Sequence, residues 1–179
     1  IKLIGNDNVA NINATVLEPT SGDGAFTVRI LELRLKKIFK EKDYLYKSLI
    51  SLSTIFSIEM DEELMIKQRN NIFTMLMLYV KSKKIEATAD YILLAKKIIL
   101  TNFIWGETSI DRPLMYKGQP MGWYMPTVVK NKSTKNDKNR IQFARWTIDP
   151  DFGQSTFVYE DWEPNDDSNL GGLLSEQYE

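Results

Sequence analysis

Val16-Leu17-Glu18-Pro19-Thr20-Ser21-Gly22-Asp23-Gly24-Ala25-Phe26 is the stretch whose reading decides the fold. Val16-Leu17 is short and apolar, like the end of a buried strand. Glu18 to Gly24 is a turn rich in glycine, proline and small polar residues. A helix is expected from about Ala25. Phe26, Ile30, Leu33 and Ile38 keep roughly helical spacing, and Arg34, Lys36, Lys37, Lys40 and Lys42 form a basic outer side and last turn suited to the helix dipole.

Working outward, a polar link over Lys42 to Lys47 precedes Leu52-Ser53-Thr54-Ile55-Phe56-Ser57-Ile58, which reads as a strand running into Glu59-Met60-Asp61. Asp61 is placed to cap a long amphipathic helix defined by Leu64, Gln68, Ile72, Met75, Leu76 and Tyr79. Its start is acidic (Asp61, Glu62, Glu63) and its end basic (Lys81, Lys83, Lys84). Asp90 to Leu100 is apolar and helical, and Asn102 to Trp105 reads as a third short strand ending at Gly106-Glu107. Strand, glycine turn, helix, strand, acidic turn, helix is the order of an α/β fold with a parallel sheet and crossover helices.

The flanks are less regular. Residues 1–14, with four asparagines, read as a loop or the remnant of an upstream element. Lys130, Lys132, Lys135, Lys138, Arg140 and Arg145 stand against Asp137 alone. Residues 130–140 therefore form a basic loop, for which a solvated insertion outweighs a phosphate-contacting segment because no aromatic interleaves with the lysines. Ile141 to Ile148 and Ser155 to Trp162 alternate apolar and polar residues about Asp149-Pro150-Asp151-Phe152-Gly153, as a hairpin does. Residues 163–179 carry five acidic residues and no basic one, an acidic tail. The expected organisation is thus a main domain over 15–129, the basic loop, a hairpin over 141–162 completing the sheet, and the tail. The sequence opens on Ile1, which leaves a fragment, a processed form or separate segments of a longer chain open.

Composition removes whole classes of chemistry. The chain has no cysteine and no histidine, so thiolate nucleophiles, disulfides, histidine bases and the commonest metal-ligand sets are out, and no metal site is expected. Apolar residues make up 43% and charged residues 26% of the 179 positions, a globular balance, and the net charge of −1 gives no global pull toward nucleic acid. No run reaches the ~20 apolar residues of a membrane span, and no signal peptide opens the chain; a cytoplasmic location is expected.

The candidate site follows from where parallel sheets bind ligands, at the carboxyl ends of their strands. Gly22 and Gly24 let the first turn fold tightly under a ligand, and Glu59 ends the next strand where ribose hydroxyls donate to a carboxylate. Glu59 lies 35 residues beyond Gly24, longer than the ~20 of the dinucleotide fingerprint, so an insertion is expected after the first helix. Each piece alone fits a plain turn or a helix cap; together, in order and each at a strand end, they point to an adenosine-containing cofactor. Neither the three-glycine dinucleotide pattern nor a phosphate-cradling loop is present.

Leu17 to Phe26 resembles the cofactor motif of adenine-N6 DNA methyltransferases, the modification subunits of restriction-modification systems, with Glu18 where aspartate is usual. The resemblance spans about Val16 to Thr108 and implies a Rossmann-like class I methyltransferase fold, whole or in part, binding S-adenosylmethionine. Glu18, Pro19, Thr20, Ser21, Gly22, Asp23, Gly24 and Phe26 then form the first motif, with Gly22 and Gly24 facing the methionine portion. Glu59, Met60 and Asp61 form the acidic turn, Glu59 holding the ribose. Met60 and either Phe103 or Trp105 face the adenine, and Gly106-Glu107 matches the turn whose carboxylate reads the adenine amino group. DNA and a restriction or specificity subunit are the implied partners.

The family's catalytic loop, Asn/Asp/Ser-Pro-Pro-aromatic, is not in the sequence. Asp149-Pro150-Asp151-Phe152 comes nearest, which makes Asp149, Pro150 and Phe152 the catalytic candidates, although the alternation on either side favours a hairpin turn. Two alternatives stay open: a catalytically silent cofactor- or partner-binding subunit, and a methyltransferase acting on RNA, protein or a small molecule.

Overall fold

The computed structural model of the chain describes residues 6–106, 115–116, 119–120 and 142–161. A short helix α1 (Asn6–Val9) leads into strand β1 (Val16–Glu18), and helices α2 (Ala25–Ile38) and α3 (Tyr44–Ser53) precede strand β2 (Ile55–Glu59). Helices α4 (Glu62–Ser82) and α5 (Ala89–Asn102) then lead to strand β3 (Phe103–Trp105). Two-residue strands β4 (Met115–Tyr116) and β5 (Gln119–Pro120) pair antiparallel, as do β6 (Gln142–Thr147) and β7 (Thr156–Asp161).

Strands β1, β2 and β3 form a parallel sheet in that order, with Val16 opposite Ile55, Glu18 opposite Ser57 and Glu59 opposite Trp105. The chain is therefore α/β with a three-stranded parallel sheet and crossover helices, an arrangement compatible with part of a Rossmann-like fold. Ile55, Phe56, Ser57 and Ile58 are all buried, as a parallel strand covered on both faces requires. Ile55 lies in the helix-side core with Leu31, Leu35, Leu49, Ile72, Leu76 and Ile98. On the other face Ile58 and Ile104 pack with Leu17 and Phe143, and the Phe143 ring meets Phe56 edge-on at 5.3 Å.

Four details depart from the sequence reading. Residues 6–9, expected as a loop or the remnant of an upstream element, form the short helix α1, whose Val9 is buried. The strand expected from Leu52 begins at Ile55: Leu52 and Ser53 end α3, whose buried Tyr44, Ser48, Leu49 and Leu52 keep helical spacing. That helix is the extra element between the glycine turn and Glu59. Arg34, expected on the basic outer side of α2, is fully buried, because the inward stripe runs Thr27, Ile30, Leu31, Arg34, Leu35, Ile38. Finally, the β6–β7 hairpin is a two-stranded sheet of its own, so it covers the parallel sheet through Phe143 and does not extend it.

Buried Arg34 is a tie among elements. Its guanidinium donates to Val9 O (3.0 Å) at the end of α1, to Ala14 O (2.6 Å) before β1, to Ser51 O (3.0 Å) in the last turn of α3, and to Thr54 Oγ1 (2.7 Å). Burial pushes its pKa down to about 10, so it stays charged at neutral pH, facing carbonyl oxygens of two helix C-termini. Among the described residues no helix is long and apolar enough to cross a membrane.

Candidate functional site

The turn after β1 is held from two sides. Ser21 N donates to Ile58 O (3.1 Å) of β2 and Gly24 N to Ser21 O (2.9 Å), which closes the turn on itself. Gly22 and Gly24 take φ of 55° and 82°, in the left-handed region that glycine adopts without a Cβ clash. The two have different surroundings. A Cβ at Gly22 would meet nothing within 4 Å, whereas one at Gly24 would lie 2.4 Å from Gln68 Cγ and 3.1 Å from Thr27 Oγ1. Gly22 thus borders open space. Gly24 is pressed against α4 on the side where a Cβ would stand.

The end of β2 meets the same turn. Glu59 accepts from Gly22 N through Oε2 (2.6 Å) and from Asp61 N through Oε1 (2.9 Å). Each carboxylate oxygen has a second lone pair, so Glu59 can still accept from a vicinal diol. Asp61 caps α4, accepting from Leu64 N at 2.9 Å, as its acidic position before an amphipathic run predicts. Met60 is 63% exposed beside Glu59, and Leu64 is exposed one turn along α4. The next strand end joins in: Gly106 N donates to Glu59 O (2.9 Å) and Trp105 Nε1 to Met60 O (2.8 Å), so the indole fixes the backbone that carries Met60.

The structure therefore gathers Gly22, Glu59, Met60, Asp61, Trp105 and Gly106 along one edge of the sheet. Ser21 is buried with its hydroxyl turned inward to Gln68, and half-buried Phe26 packs against the core. Phe103, one of the two aromatics considered for the adenine face, is fully buried in the helix-side core and cannot be reached by a ligand. Glu107 lies outside the described residues.

The charged groups near the turn have partners with definite effects. Asp23 sits 3.0 Å from Lys67 Nζ, and this hydrogen bond holds its carboxyl below the usual aspartate range. Glu18 is half-buried; burial raises its pKa, and a hydrogen bond from the backbone of Thr20 works against that rise.

Asp149, Pro150 and Phe152 form the hairpin turn. Phe152 N donates to Asp149 O (2.9 Å), Asp149 N donates to Ser155 Oγ (2.9 Å), and the Phe152 ring packs edge-on against Tyr91 of α5 at 5.4 Å. An aromatic so placed covers the start of α5, not the glycine turn.

In the sequence Gln68 is one more position on the amphipathic stripe of α4. Its side chain is fully buried and touches both the turn and β2. The signal was present in the stripe Met65, Gln68, Ile72, Leu76, where one amide interrupts apolar residues. The chain matches no family model, no curated protein and no solved structure.

Proposed function

We propose that the chain is the cofactor-binding part of a cytoplasmic methyltransferase of the Rossmann-like class I type, that it binds S-adenosylmethionine, and that its acceptor is adenine N6 in DNA. One observation carries this reading: the Gly22 N–H and the Glu59 carboxylate, from turns 37 positions apart, meet at 2.6 Å on the carboxyl edge of a parallel sheet, with exposed Met60 beside them. Ligands of such sheets bind at that edge.

The residues present fit the group in part. Open space over Gly22 admits the amino-acid portion, Glu59 has lone pairs for ribose hydroxyls, and Met60 offers an apolar face to a purine. When bound, the sulfonium supplies an electrophilic methyl group. The protein's contribution is alignment of an amine lone pair behind that methyl, which calls for positioning more than for a strong base and is compatible with a chain that lacks histidine.

A second reading, a silent cofactor-binding subunit acting with a restriction or modification partner, is favoured by the hairpin turn at Asp149 to Phe152, whose aromatic ring is engaged by Tyr91. Calorimetric titration tests both. Native protein is expected to bind S-adenosylmethionine, with Met60→Ser and Glu59→Gln each weakening the affinity about tenfold or more while circular dichroism stays native. Absence of binding by the folded native chain would overturn both readings. Binding without transfer of labelled methyl to DNA would select the silent subunit.

A further inference from the structure

Beneath the glycine turn lies a closed polar network with one residue at its centre. Gln68 Oε1 accepts from Ser21 Oγ and from Ser57 Oγ, each at 3.0 Å, and Gln68 Nε2 donates to Thr27 Oγ1 at 3.0 Å. Thr27 Oγ1 in turn donates to Gly24 O at 3.0 Å. Ser21, Thr27, Ser57 and Gln68 are all buried. The proton directions follow from this chain: Thr27 has spent its hydrogen on Gly24, so it can only accept and position 68 must offer a donor there, while Ser57 donates to the Gln68 oxygen and the Ser21 hydroxyl is shared between that oxygen and Ile58 O at 3.3 Å.

Both ends of the tight turn, Ser21 and Gly24, therefore hang from one amide of α4. The fit is also steric, since the Gln68 Cγ occupies the place that a Cβ at Gly24 would take. Methionine would match the size without the polarity, asparagine is too short, and glutamate supplies no donor while ionised. We infer that Gln68 is a positioning residue: it holds the turn that carries the Gly22 N–H to the Glu59 carboxylate at the sheet edge. Resting on the cofactor reading above, it thereby sets the affinity for S-adenosylmethionine without touching it.

The test is titration of S-adenosylmethionine into native, Gln68→Ala and Gln68→Glu protein between pH 5 and pH 8, with folding followed by circular dichroism. Gln68→Ala is expected to bind at least tenfold more weakly. Gln68→Glu is the informative variant. Burial and the lone pair of Thr27 favour the neutral form of the new carboxyl while the two serine donors favour the ionised one; toward the acid end of the range the neutral form gains, can donate to Thr27 and binds almost as the native chain does. By pH 8 its affinity should fall at least tenfold relative to native. Glu18, Asp23, Glu59 and Lys67, which border the turn, are common to both proteins, so the ratio of affinities isolates position 68. A role in packing alone would leave that ratio constant.

Native-like affinity in both variants would overturn the inference and leave the cofactor reading standing. Absence of binding by the native chain would overturn the cofactor reading, and a thermal-unfolding cycle then judges the hold of Gln68 on the turn. Gly24→Ala should cost less stability in a Gln68→Ala background than in the native one; equal costs would overturn it.

Discussion

Arg34 and Glu18 show how burial changes what a charged residue does. Arg34 lies on the inward stripe of α2 and spends its guanidinium on three carbonyl oxygens and a threonine hydroxyl. Arg34→Met keeps an apolar stem but orphans those acceptors; at about 1–3 kcal/mol for a buried group left unsatisfied, moderated by water entry, it should cost about 2–4 kcal/mol in denaturant unfolding. A loss under 1 kcal/mol would show that the acceptors find other donors. Glu18 carries the opposite charge into a half-buried site, and its folded-state pKa is raised chiefly by desolvation. An acid with a raised folded pKa contributes stability that is present below its ordinary range and lost as pH rises through the raised value. Glu18→Gln should therefore melt higher than the native protein at pH 7, with the difference closing below about pH 4. Parallel melting curves across that range would contradict the assignment.

At the scale of elements, ends decide more than middles. Helix α4 begins with the Asp61 cap and an acidic first turn and closes with Lys83, whose N–H donates to Tyr79 O, before Lys84 takes φ 57°. A residue at that left-handed position after a helix is usually glycine. Lys84→Gly should relieve the strain and, after the added freedom of the unfolded chain, gain about 0.5–1 kcal/mol. Scanning calorimetry should find Tm higher by about 1–4 °C, and an unchanged or lower Tm would mean that the lysine contributes more than its backbone costs. Helix α3 teaches a related lesson. Its Tyr44, Ser48, Leu49 and Leu52 share one buried face, yet six of its ten residues are serine, tyrosine or lysine, so the run reads as polar link and strand until the face is seen packed.

The molecule as a whole is joined by a few long-range ties. Asn102, buried where α5 turns into β3, donates to Ser53 O and Ile55 O and accepts from Trp146 Nε1 at 2.9 Å. That last bond, the Phe143–Phe56 contact and the Phe152–Tyr91 contact fasten the β6–β7 hairpin to the parallel sheet and α5. Trp146→Phe removes the indole donor and leaves the Asn102 amide oxygen unpaired, at a cost of about 1–3 kcal/mol. Hydrogen exchange should then quicken in residues 142–161 well before it does in β2 and α4, because the hairpin opens as a local unit. Uniform quickening over the whole chain would show that hairpin and sheet unfold together.

The glycine turn, the Asp61 cap and the hairpin turn were legible in the sequence, because each depends on local chemistry: backbone freedom at glycine, a carboxylate before a helix, alternation about Asp-Pro-Asp-Phe-Gly. The edge residues Gly22, Glu59, Met60 and Asp61 were legible for the same reason. The parallel sheet was legible from the alternation of strands and helices, and its strand order was not. Tertiary structure alone decided which glycine borders open space, which aromatic is sealed in the core, why Arg34 points inward, and that Gln68 holds the turn. Those outcomes depend on which elements pack together. A polar side chain on an amphipathic helix reads alike whether it meets water or a buried partner, until the neighbouring strand and turn are in place.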